Sequence, residues 1–149
     1  MSEMRRKLLE EIGIETPEYK ITPQKWEDIC IDYTLSEEFI REFQDQIDWR
    51  NVSTYQKMTE NFIREFEDKV CWYRVPTSQS LSDRFVIEYN NKVDWEFYFY
   101  YTEGSFPIMK KYISKTNHKN CSEFKTKHLN QKQKEEIERL LKLKNVFKI

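Results

Sequence analysis

Alanine is absent from this 149-residue chain, and glycine occurs only twice, at Gly13 and Gly104. Phosphate-binding loops of nucleotide-binding folds need several glycines so that the backbone can approach phosphate closely, which excludes those folds. No apolar run of about 18 residues is present, so a membrane span is not expected. The N-terminal stretch carries acidic residues where a secretory leader needs a continuous apolar segment. Cys30, Cys71 and Cys121 are three in number and lack framework spacing, which suits a reducing compartment. These absences predict a soluble protein of the cytoplasm. Only two histidines, His118 and His128, are available, so a Ser-His-Asp or Cys-His catalytic set has little support and no enzymatic activity is expected.

Hydrophobic residues make up only 38% of the chain, but 15% of it is Phe, Trp or Tyr. Large rings bury far more area than Val or Ala, so the core is expected to be aromatic. The bias toward Lys, Asn, Ile, Phe and Tyr resembles that of proteins from AT-rich genomes, bacteriophages and large viruses among them.

The four tryptophans, Trp26, Trp49, Trp72 and Trp95, stand 23 residues apart. Other slots keep the same period: Leu35, Met58 and Leu81; Phe39, Phe62 and Phe85; Phe43, Phe66 and Tyr89; Ser36, Thr59 and Ser82; Glu42, Glu65 and Glu88. A fixed period of this length marks a tandem structural repeat. Within one repeat, Leu35, Phe39, Phe43 and Ile47 step by four and make one helical stripe. Ser36, Thr59 and Ser82 occupy N-cap positions, each followed by an acid at the positive end of the helix. A main helix of about three turns, from near Ser36 to near Gln46, is therefore expected. Trp49, Val52 and Gln56 predict a second, shorter helix, and Pro76 keeps its counterpart short.

The expected fold is all-α: a single domain holding a short, solenoid-like helical-repeat array with helical caps. Residues 1–25 form the N-terminal cap, 26–103 the repeats, and 104–149 a degenerate repeat with a basic C-terminal cap helix. An α+β alternative with one short strand per repeat remains, because Ile29 to Thr34 and Phe97 to Thr102 alternate well enough for strands. One repeat cannot fold alone. Burying five or six large side chains at roughly 1.5–3 kcal/mol each does not offset ordering its backbone at about 1–2 kcal/mol per residue, so stability must come from neighbours and caps. Met4, Leu8, Leu9 and Ile12, closed by Gly13, predict the front cap. Thr22 with Pro23 predicts the start of the next helix. Asn130 with Gln133 reads as a capping box opening a helix that shares Ile137, Leu140, Leu141 and Lys144 on one face.

The stretch Leu35–Trp49 reads L-S-E-E-F-I-R-E-F-Q-D-Q-I-D-W, and Phe62–Trp72 reads F-I-R-E-F-E-D-K-V-C-W. They resemble the L-S-E-x-F-I-R-E-F-x-D-K-V-D-W repeat, about 23 residues long, reiterated in many uncharacterised proteins of phages and large DNA viruses. The resemblance covers roughly Trp26 to Tyr101 and implies viral origin and helical-repeat architecture. It implies no activity. Cys71 departs from the pattern where an acid precedes the tryptophan, and Phe97 to Tyr101 replaces the usual polar second half, so the last repeat is expected to be specialised.

The tryptophans, recurring in step with the Phe and Leu slots, are expected in the core. The run from Trp95 to Tyr101 holds more rings than one buried face accepts, which makes Tyr98, Tyr100 and Tyr101 the candidate partner-binding residues, since tyrosine joins area, rigidity and a hydroxyl. Glu42, Glu65 and Glu88 add a charged row on the expected binding face; their equal spacing provides no means of raising one pKa for acid catalysis. His118, Cys121 and His128 offer three metal ligands without a fourth, so neither metal nor cofactor is expected.

Charge is strongly polarised. Glu27 to Trp49 carries eight acids and one base, whereas Lys110 to Ile149 carries twelve bases and four acids. Lys110, Lys111, Lys115, Lys119, Lys125 and Lys127 could contact phosphates nonspecifically, the alternative to a protein partner, and the asymmetry also suits self-association. The functional expectation is a viral or phage protein-binding module acting on a host or viral protein, with inhibition of a host defence ribonucleoprotein of the anti-CRISPR type as its sharpest form.

Overall fold

Capping geometry explains why such short helices form at all. In the computed structural model, which describes residues 3–116 and 124–147, ten α-helices and no strand are present among the described residues. These are α1 (Glu3–Glu11), α2 (Pro23–Asp32), α3 (Glu37–Glu42), α4 (Trp49–Tyr55), α5 (Glu60–Glu65), α6 (Val75–Ser78), α7 (Asp83–Glu88), α8 (Trp95–Tyr101), α9 (Phe106–Tyr112) and α10 (Gln131–Phe147). The strand alternative is thereby corrected: both alternating stretches lie largely in helices, α2 and α8.

Ser36, Thr59 and Ser82 each accept a hydrogen bond from the backbone N–H three residues on, at Phe39, Phe62 and Phe85. This satisfies one of the orphan donors at the start of α3, α5 and α7. Those helices are shorter than expected, six residues each. Phe43 and Phe66 leave the α-region at the C-cap, and the next residues close as tight turns through Gln46 N–H to Phe43 O and Lys69 N–H to Phe66 O. The four-residue apolar stripe therefore runs through a helix and its following turn. Asp48 and Asp94 cap α4 and α8. Where Cys71 replaces that acid, α6 lacks a side-chain cap and spans only four residues.

The period also continues further than composition suggests. Ser105 occupies the capping slot one period after Ser82 and opens α9, whose Ile108, Met109 and Tyr112 are buried. Gly104 falls in the slot of Leu35, Met58 and Leu81. A Cβ there would stand 3.0 Å from the Tyr98 ring and 3.2 Å from the Phe99 ring, so these rings leave no room for the leucine or methionine that the other repeats carry in this slot.

The chain divides into two compact units, Met1–Gln79 and Ser80–Ile149. In the first, α2 packs on α4, α4 on α6 and α1 on α3. Its core includes Leu9, Ile29, Phe39, Phe43, Phe62 and Ile63. Trp26 packs on Phe43 and Trp49 on Phe66, with ring centroids 5.2 and 5.0 Å apart. Helix α1 closes in a Schellman turn, with Gly13 at φ 77° and Ile14 N–H bonded to Leu9 O at 2.8 Å.

Gln56 and Gln79 bind the repeats of this unit together. Gln56, almost wholly buried, donates to the carbonyls of Cys30 and Tyr33 and accepts from Leu35 N–H at 2.8 Å. Gln79 repeats the arrangement 23 residues on: it donates to Ser53 O and Gln56 O and accepts from Met58 N–H. Each glutamine thus satisfies groups at the end of the second helix one repeat earlier and just before the helix that follows it. In the second unit the same slot holds Thr102, whose hydroxyl donates to Tyr98 O in its own helix at 2.6 Å.

The second unit has one aromatic and aliphatic core running from Val86 through Trp95, Phe99, Ile108 and Phe124 to Leu141. Trp95 lies flat on Tyr112, with centroids 4.0 Å apart. The Asn130–Gln133 capping box forms reciprocally, and α10 buries Ile137 and Leu141 against α9 and the short 3₁₀ turn after it.

Candidate functional site

Two local arrangements stand apart from core packing, one in each unit. The first is the outer side of α8. Seven residues, five of them Phe or Tyr after Trp95 and Glu96, form one helix. Helical spacing turns Trp95, Tyr98 and Phe99 inward, where all three are buried. Tyr98 is therefore corrected from surface to core: it lies three residues after Trp95 on the inner face, at 7% exposure. Burial pushes its phenol above the ordinary value. Tyr100 and Tyr101 remain outside at 47% exposure each. Tyr101 rests on the half-buried Phe97 at 4.2 Å and meets Tyr100 edge-on at 4.9 Å. These contacts hold the exposed rings as one cluster.

The second arrangement is an open groove of about 730 Å³ in the first unit, lined by Arg5, Glu18, Tyr19, Ile21, Trp26, Glu42 and Gln46. The Arg5 guanidinium bridges two carboxylates, donating through Nη1 to Glu18 and through Nε to Glu42, both at 2.7 Å. It also donates to Glu42 O at 2.8 Å and lies over the Phe43 ring. The hydrogen bond to Glu42 holds the Arg5 guanidinium above its ordinary value, against a partial loss of hydration. Gln46 donates weakly to Glu18 at 3.4 Å, and its Oε1 is buried with no hydrogen-bond partner. Nothing in the spacing of Arg5, Glu18 and Gln46 signals this groove, because the cap and the repeat meet only in space.

Two members of the acidic row make internal bonds. Glu42 binds Arg5, and Glu65 takes both ends of the Arg41 guanidinium at 2.8 Å. That bond holds the Glu65 carboxyl below the usual carboxylate range. Each of these two acids is paired with an arginine from the helix two before its own, Glu42 with Arg5 of α1 and Glu65 with Arg41 of α3. Glu88 ends α7 and is exposed.

The lysines gather in the second unit. Lys110 pairs with Glu136 of α10 at 2.7 Å, and this pair holds the Glu136 carboxyl below its usual range. Lys111 and Lys115 lie over the Tyr112 ring, and Lys115 reaches Asn90 Oδ1 at 3.2 Å. Lys125 and Lys127 are exposed before α10. Lys119 lies outside the described residues, as do His118 and Cys121. His128 donates through Nε2 to Gly104 O at 2.9 Å in the protonated-Nε2 tautomer. Among the described residues no group of three His, Cys, Asp or Glu is placed to hold a metal, and no helix is long and apolar enough to cross a membrane.

Cys30 is fully buried, and desolvation pushes its thiol up to about 11. Cys71 is half-buried, its backbone N–H bonded to the Ser53 hydroxyl. No protein-family model, curated protein or solved structure matches the chain.

Proposed function

We propose that the chain is a protein-binding module of viral or phage type that acts on a host or viral protein in the host cytoplasm, with Tyr100 and Tyr101 at the centre of its contact surface. The observation that carries this reading is the exposed ring cluster on α8, aromatic area beyond what the core of its unit uses. Tyrosine anchors of this kind dominate protein interfaces. A small viral binder of this kind fits inhibition of a host defence assembly, including the anti-CRISPR class, and that step is supported by the repeat resemblance and by size.

Affinity capture of the tagged chain from cells, with and without nuclease, tests the reading. The expected result is one stoichiometric protein that survives nuclease and is lost with Y100A/Y101A. Capture unaffected by that double substitution overturns the assigned surface.

The second reading, nucleic-acid binding, is favoured by one observation: from Ser80 onward the sequence carries fourteen bases against nine acids, with Lys110, Lys111 and Lys115 on α9 and the turn after it. Binding to DNA or RNA that falls steeply with salt, and with exchange of these lysines for glutamate, would select it.

A further inference from the structure

The groove around Arg5 combines one guanidinium with two carboxylates, so its polar wall carries excess negative charge. Glu18 and Glu42 are largely withdrawn from water, at 16% and 30% side-chain exposure, where a residual negative charge is poorly hydrated. Gln46 adds a carbonyl oxygen without a partner. Reversing that amide would turn its oxygen toward the Glu18 carboxylate, so Glu18 fixes its orientation. The same groove is lined by Ile21 and Trp26, apolar and buried at 9% and 5% exposure, and by Tyr19, exposed at 80%. Lys20 Nζ already lies 5.7 Å from the Tyr19 ring centroid, a cation drawn to that ring from within the chain.

These features select one class of occupant. An anion would face two carboxylates, and an apolar group would leave the polar wall uncompensated. A cation on a hydrocarbon stem satisfies both sides, its head against the carboxylates and its stem along Ile21 and Trp26. The field of the surrounding sequence agrees, because residues 1–79 hold seventeen acids against eleven bases and such an excess concentrates positive partners. The groove volume of about 730 Å³ lies in the range of roughly 300–1,000 Å³ usual for binding pockets, enough for a side chain together with its flanking backbone.

We infer that this groove receives a lysine or arginine side chain of a partner protein. The inference rests on the reading of the chain as a protein-binding module and supplies that module with a second, chemically specific contact.

Nuclear magnetic resonance of the full chain with three capped tripeptides, Gly-Arg-Gly, Gly-Lys-Gly and Gly-citrulline-Gly, tests it. The arginine or lysine peptide is expected to shift the Trp26 indole and Gln46 side-chain amide signals saturably. Citrulline keeps the shape of arginine without its charge and is expected to bind about tenfold more weakly, the difference between a charged and a neutral hydrogen bond. E18Q should weaken the cationic peptide by a similar factor. Y19A, at a rim position that the fold does not need, should weaken it about threefold with an unchanged melting curve.

Absence of a saturable shift, equal binding of citrulline, or the same shifts with inorganic phosphate overturns the inference. Shifts produced by concentrating the protein alone would also overturn it, in favour of a lysine from a second copy. If the captured partner is released by Y100A/Y101A but neither by excess arginine peptide nor by Y19A, the interface on α8 stands and the groove assignment falls.

Discussion

Replacing Gln56 by alanine removes three hydrogen bonds at one stroke: from Leu35 N–H, and to the carbonyls of Cys30 and Tyr33. The side chain is 3% exposed, so water cannot readily replace it. Leaving a buried donor unpaired costs about 1–3 kcal/mol, and the two carbonyls each lose a bond with a net contribution of about 0.5–1.5 kcal/mol. Together the loss is about 2–6 kcal/mol, a large part of the roughly 5–15 kcal/mol that holds a domain folded. Q79A should cost less, about 1–2 kcal/mol, since Gln79 is only partly buried and water can enter. Q56E separates hydrogen bonding from shape. A carboxylate can accept from Leu35 N–H but repels two carbonyl oxygens, so the variant should be unstable at pH 7. Protonation lets the new carboxyl donate, which raises its pKa in the folded state above the unfolded value of about 4.3. Stability should then be recovered as pH falls through the raised folded value, with the gain complete below the unfolded one. Urea unfolding followed by tryptophan fluorescence, together with hydrogen exchange at the Leu35 amide, reads both effects. If Q56E matches the wild type at pH 7, or Q56A costs less than about 1 kcal/mol, the clamp does not link the repeats energetically.

S36A and T59A each remove an N-cap and should cost about 1 kcal/mol, measured as a shift in urea midpoint at constant slope. G104A places a methyl against the Tyr98 and Phe99 rings and should destabilise by about 1–3 kcal/mol through overpacking, whereas relief of backbone entropy alone would stabilise the chain. In a C121S background, iodoacetamide at pH 8 should label Cys71 and spare Cys30, whose thiol at about 11 is ionised in roughly one molecule in a thousand at that pH; mass spectrometry showing both labelled together would place Cys30 in contact with solvent.

Periodicity made the helices legible because each slot keeps one physical role. The hydroxyls of Ser36, Thr59 and Ser82 cap, the Phe slots fill the core, and the tryptophan spacing marks the second helix. Helix length was less legible: the stripe from Leu35 to Ile47 fits a longer helix, yet the backbone leaves helical geometry at Phe43 and continues as a turn that still aims Ile47 inward. The glutamine clamp carried a visible signal, Gln56 and Gln79 in one slot, but a glutamine on a short helix reads as surface until the carbonyls around it are located. Arg5 gave no such signal. Its partners Glu18 and Glu42 lie 13 and 37 residues away: the packing of α1 on α3 brings Glu42 to it, and the 3₁₀ turn Glu18–Lys20 brings Glu18. Tyr98 shows the opposite limit, because a run of five ring-bearing residues contains inward and outward faces that composition alone does not separate.

Division of labour among slots explains which positions are free to vary in a repeat this short. Helices of six or seven residues are too short to be stable alone, so the capping, core and clamping positions admit little change. The outer positions of the second helices are under no such demand, and there the residues differ from repeat to repeat: Ile31, Thr54, Thr77 and Tyr100 in one slot, Asp32, Tyr55, Ser78 and Tyr101 in the next. Within the first unit, a framework that repeats while its outer residues vary would suit the proposed recognition of a protein face. Tyrosine occupies both outer slots only in α8, and there Tyr100 and Tyr101 contact each other. Substituting Ser78 by tyrosine should leave stability within about 0.5 kcal/mol, as exposed changes do, whereas the same freedom at Gln56 or Phe62 is denied by burial.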